Sequence, residues 1–167
     1  MSDADNASET TARIIEFLRS IGLVVHEKLL PAQTFLPGVR IDAGTLMVDH
    51  AQLRWPGDLL HEAGHLAVTP AALRARQYDA VEPDPALAHA GEVEATAWAW
   101  AALVHLGLDP EVLFHAGGYH GRSQGLIMTY TLGVHPGAAG LAHAGLTGVG
   151  ALATGPVYPR MRRWLRE

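Results

Sequence analysis

The sequence predicts an α+β domain, with a small antiparallel sheet early in the chain packed on a mostly helical body. Two short β-prone runs, Val39–Asp42 and Thr45–Val48, meet at Ala43-Gly44, a hairpin signal. Ahead of them, Ile14, Ile15, Phe17, Leu18 and Ile21 recur at helical spacing. Beyond them, capping residues and breakers delimit one helix after another, giving the order helix, small sheet, helices.

Residues 1–8 are polar and acidic and read as a disordered tail, leaving residues 9–167 as a single domain. A helix over about Thr10 to Ile21 ends at Gly22, which suits the left-handed position after a helix. Leu23 to Leu30 reads as extended, and the hairpin follows. Pro56-Gly57-Asp58 stops the chain, and Asp58 is placed to cap a helix that runs to Val68 and ends at Thr69-Pro70. A short helix and a proline-containing loop lead to a long helix from Ala90 to Leu106, closed by Gly107. Asp109-Pro110 opens the next, since Asp caps and Pro tolerates the first helical position. Weaker helices are expected near Ser123–Leu132 and Gly137–His143, and a terminal one near Pro159–Arg166.

Composition narrows the function. Hydrophobic residues make up 49% of the chain and charged residues 17%, which favours a packed globule over disorder. A net charge of -5 gives no footprint for direct nucleic-acid binding, and the arginines at 160, 162, 163 and 166 read as a solvated helix face. The chain has no cysteine, which excludes disulfides, thiolate metal sites and cysteine nucleophiles and is compatible with the cytoplasm. The N-terminus lacks the basic and apolar regions of a signal peptide. Residues 123–159 lack Asp, Glu, Lys and Arg, but Pro136, Pro156, His135, His143 and many glycines interrupt them, so no membrane span is expected.

The chemistry concentrates in His61-Glu62-Ala63-Gly64-His65. Histidines four apart on a helix project from one face, one turn apart, and both imidazoles can then reach one zinc ion. Glu62 stands a step round the helix, where it serves better as a general base toward a water that the metal acidifies. Gly64 costs a helix about 1 kcal/mol relative to alanine, which close packing of another element would explain. A third protein ligand is needed. Val68 and Ala71 exclude a metzincin continuation, leaving Asp79, Glu82, Asp84, His89, Glu92 and Glu94. A rigid helix favours Glu92 or Glu94. Glu92 is the choice because it shares its face with the small residues Ala95, Thr96 and Ala99, and Glu94 is the alternative. Tyr119 and His120, in a glycine-flanked loop, are the candidates for donating to a developing oxyanion. His115, His135 and His143 read as packing or surface histidines, and Trp98 and Trp100 as core residues on opposite sides of the long helix.

Over about Val39 to Leu106 the chain resembles the ImmA/IrrE-type metallopeptidases, a gluzincin-like zinc family. The resemblance lies in the hairpin, in Arg54, in His-Glu-Ala-Gly-His, and in Glu92-Val93-Glu94-Ala95-Thr96-Ala97-Trp98-Ala99. It implies a zincin-like minimal metallopeptidase domain with Zn2+ on His61, His65 and Glu92. It also implies cytoplasmic cleavage of a peptide or protein substrate, of which repressor-type regulators are one kind. A metal-binding regulatory module and a zinc amidohydrolase acting on a small amide are the rival readings. Oligomeric state is left open by the sequence.

Overall fold

The computed structural model describes residues 3–32, 34–79 and 91–167. Its first helix, α1 (Asp3–Ser20), begins before Thr10, so residues 3–8 are helical here and not a tail. Acidic residues early in a helix favour this, because they face the positive end of its dipole. Ile14, Ile15, Phe17 and Leu18 form its buried face. Gly22 ends it at φ 98°, with Leu23 N–H donating to Leu18 C=O and Gly22 N–H to Arg19 C=O, a Schellman closure.

Strands β1 (Val25–Glu27), β2 (Val39–Asp42) and β3 (Thr45–Val48) form a sheet in the order β1-β3-β2. The β2–β3 hairpin falls where expected, turning through Ala43 and Gly44 at φ 47° and 75°. Val39, Ile41, Leu46 and Val48 alternate onto its buried face. The sheet is mixed and not purely antiparallel, because β1 lies parallel to β3, with Val25 opposite Leu46. The free edge of β3 accepts it, and Asp49 secures the return: its carboxylate accepts from Leu30 N–H at 2.9 Å and from Gln52 Nε2 at 2.7 Å.

Helix α2 (Gly57–Val68) carries the histidine pair through the centre of the molecule, with Leu59, Leu60, Ala63, Leu66 and Ala67 fully buried. After the single turn of α3 (Ala71–Arg74), the long helix α4 (Glu92–Leu106) packs directly on α2. Gly64 marks the crossing. A Cβ there would lie 2.5 Å from the Ala95 carbonyl oxygen, so only glycine lets the two backbones meet. Gly64→Ala is therefore expected to destabilise the chain. Overpacking costs about 1–3 kcal/mol, against roughly 1 kcal/mol recovered in helix propensity. Urea denaturation measures the balance, and a variant as stable as wild type would contradict the close crossing.

Trp98 and Trp100 are both buried on opposite sides of α4, as the sequence predicts. Trp98 meets Phe17 and Trp164, and Trp100 meets Phe114 and Tyr130. Gly107 closes α4 at φ 62°. Helix α5 (Pro110–Leu113) is capped by Asp109, whose carboxylate accepts from Glu111 N–H at 2.8 Å. After a single 3-10 turn at Tyr119–Gly121 come α6 (Ser123–Thr131) and α7 (Ala138–His143), close to the expected bounds.

Residues 159–166 are not helical, contrary to expectation. Their amides are taken by distant partners, Arg162 N–H by Leu146 C=O and Arg166 N–H by Ala67 C=O, which leaves no i to i−4 ladder. Arg166 is consequently half-buried against α2, not part of a solvated face. Among the described residues no helix is long and apolar enough to cross a membrane.

Candidate metal centre

Helix α2 brings His61 and His65 together with their Nε2 atoms 3.3 Å apart and their rings nearly perpendicular, at 88°. Glu92 opens α4, one turn before the Ala95 contact with Gly64, so the same crossing delivers its carboxylate to both imidazoles. Its Oε2 lies 3.2 Å from His61 Nε2 and its Oε1 lies 3.2 Å from His65 Nε2. These three residues form the one group, among the described residues, that could hold a metal ion. The donor spacing itself tests the fit. Four ligands tetrahedrally arranged at about 2.0–2.1 Å from zinc stand about 3.3–3.4 Å from one another. The two imidazole nitrogens, 3.3 Å apart, match that edge length, and each faces a different oxygen of Glu92 at 3.2 Å. Hydrogen bonds from the two imidazoles hold the Glu92 carboxyl far below the usual carboxylate range, although the side chain is 75% exposed.

The sequence alternative, Glu94, points elsewhere. It lines a cleft with Val68, His143 and Arg166 and sits against α7, where a Cβ on Gly140 would meet its Oε1 at 2.5 Å. Asp79 is committed to the edge strand, its Oδ1 accepting from Ile41 N–H at 3.0 Å. Glu82, Asp84 and His89 lie outside the described residues.

Glu62 is buried, and burial pushes its carboxyl up to about 7, against the opposing pull of the two histidines. A cation held by those histidines would favour the ionised form, since the nearest large charge governs local proton affinity. Tyr119 does reach the site, with its ring edge-on to His61 at 6.1 Å between centroids. Burial, then the charges of Asp58 and Glu92, holds its phenol well above the usual range, so its O–H remains a donor. His120 is exposed and stands outside the group formed by His61, His65 and Glu92. Tyr119 and His120 have φ of 56° and 52°, consecutive left-handed non-glycine residues, a conformation that the surrounding packing must maintain.

Two residues take roles that the sequence does not signal. Asp58 is not a helix cap: Pro56 precedes α2 in a helical conformation, and no side chain caps the helix. Asp58 is instead buried, with Oδ1 accepting from His115 Nε2 at 2.9 Å. His115 is a packing residue as expected, stacked on Trp55 at 4.6 Å and 7°, but it also carries this carboxylate partner. The pairing spans 57 residues, and no local spacing announces it.

Comparison of the chain with protein-family models, with curated proteins and with solved structures finds no match.

Proposed function

We propose that this chain is a zinc-dependent hydrolase, with a peptide bond as its substrate and Glu62 as the general base. The observation that carries the reading is the three-residue donor group, its two imidazole nitrogens at tetrahedral edge spacing, with a buried carboxyl beside it on the same helix. The resemblance to ImmA/IrrE-type peptidases supports the same reading and suggests a cytoplasmic protein substrate of the repressor type.

Bound zinc would supply Lewis acidity and a water of lowered pKa. The residues do the rest. His61, His65 and Glu92 would hold the ion. Glu62 accepts the proton released as water adds to the carbonyl, and returns it to the departing amine as the C–N bond breaks. Tyr119 offers its phenolic O–H to the negative charge that develops on the carbonyl oxygen. A pure binding module would have no need of Glu62, which favours an enzyme over that rival.

Purified protein is expected to carry close to one zinc per chain. Glu92→Ala is expected to lose it, and Glu94→Ala to retain it, both measured by elemental analysis. Zinc retained in full by Glu92→Ala and lost in Glu94→Ala reverses the ligand assignment. Hydrolysis by the zinc-loaded chain, assayed on mixed peptides and on small amides, separates the peptidase from the amidohydrolase.

A further inference from the structure

The donor group leaves polar atoms at the start of α2 unaccounted for. His61 Nδ1, Asp58 Oδ2 and His115 Nδ1 are all buried without a hydrogen-bond partner. Buried polar atoms are nearly always paired, so three such atoms in neighbouring residues call for a cause. Asp58 and His61 are three residues apart on α2, which places them on one face, one turn apart. Asp58 is fixed from the other side: His115 Nε2 donates to its Oδ1 at 2.9 Å, and the His115 ring lies flat on Trp55. One carboxylate oxygen is therefore committed and the other is spare.

The need for that oxygen follows from the tautomer of His61. Its Nε2 is the atom turned toward Glu92 and His65. When Nε2 gives its lone pair to a metal, the proton of the neutral ring resides on Nδ1. Nδ1–H then requires an acceptor in a region with little access to water. The unpartnered acceptor on the same helix face is Asp58 Oδ2.

We propose that Asp58 is the positioning residue of the metal centre: its Oδ2 accepts the Nδ1–H of metal-bound His61, while His115 holds the carboxylate through Oδ1. The inference rests on the metal-site reading above. The two atoms are not hydrogen-bonded in this structure, so side-chain rotation within one helix turn must bring them together. A carboxylate behind a ligating imidazole fixes its tautomer and ring orientation and makes it a better ligand. The arrangement also ties His61 to the segment that carries Tyr119, four residues after His115.

The test is competition for zinc alone against a chromophoric chelator, using the full chain. Asp58→Asn removes the charge and turns one acceptor into a donor, and is expected to weaken zinc binding by about 10- to 100-fold. His115→Gln leaves the carboxylate in place and is expected to weaken it less. Nitrogen-resolved NMR of the zinc-loaded wild type, which needs no variant to fold, should show a slowly exchanging proton on His61 Nδ1. Unchanged affinity in Asp58→Asn, equal losses in the two variants, or a His61 Nδ1 proton exchanging like that of an exposed imidazole overturns the proposal. A wild type that binds no zinc overturns the metal centre itself, an outcome distinct from these.

Discussion

Glu62→Gln is expected to leave fold and zinc content intact while lowering hydrolysis by about 10²–10⁴-fold, the usual contribution of a general base. The amide matches the carboxylate in size, so the packing around a side chain that is 8% exposed is preserved. Nor does the loss of charge weaken the metal-free fold, since burial already disfavours the ionised form at this position. His61, His65 and Glu92 are untouched, so metal content measured alongside should equal wild type. The variant also discriminates between readings, because it should hold a protein substrate without cutting it. If wild type and Glu62→Gln bind the same partner and neither changes it, the chain is a regulatory module and the enzymatic reading is lost.

Removing the metal is the second large effect. An ion that binds only the folded chain, at a free concentration about a thousand times its Kd, stabilises it by about 4 kcal/mol. For a chain of this size each kcal/mol moves Tm by about 2–4 °C, so chelation is expected to lower it by roughly 8–16 °C. The fold should survive, because Glu92 already bridges both imidazoles through its own hydrogen bonds. His65→Ala should abolish the chelator-induced shift. A Tm unmoved by chelation, with loss of metal verified, would falsify the coupling between site and stability.

The hairpin and the donor group were legible in the sequence because each is encoded locally. Ala43-Gly44 names a turn, and histidines four apart name a helix face. Even the choice of Glu92 over Glu94 followed from local pattern: small residues on the Glu92 face permit the crossing that Gly64 completes. What escaped depends on partners far along the chain. The parallel pairing of β1 with β3 leaves no periodic mark on either strand. Pro-Gly-Asp looks like a cap, yet Asp58 is drawn away by a histidine 57 residues on. Within residues 159–166, Met161, Trp164 and Leu165 recur at helical spacing among arginines, as in a surface helix, but Trp164 is drawn into the cluster of Trp98 and Phe17.

The docking of that last segment on α2 has a consequence for when the protein can assemble. Arg74 Nη2 donates to Arg166 C=O at 2.8 Å and Arg166 Nη1 to Val68 C=O at 3.4 Å, contacts separated by 92 and 98 residues. Contacts so distant in sequence close late in folding, after local structure has formed. A chain emerging from its N-terminus therefore presents the end of α2 uncovered, with the Ala67 and Val68 carbonyls facing water, until residues 160–166 have been made. His65 lies within the last turn of that helix. The end of the helix that carries the imidazole pair is therefore covered only once residues 160–166 are in place.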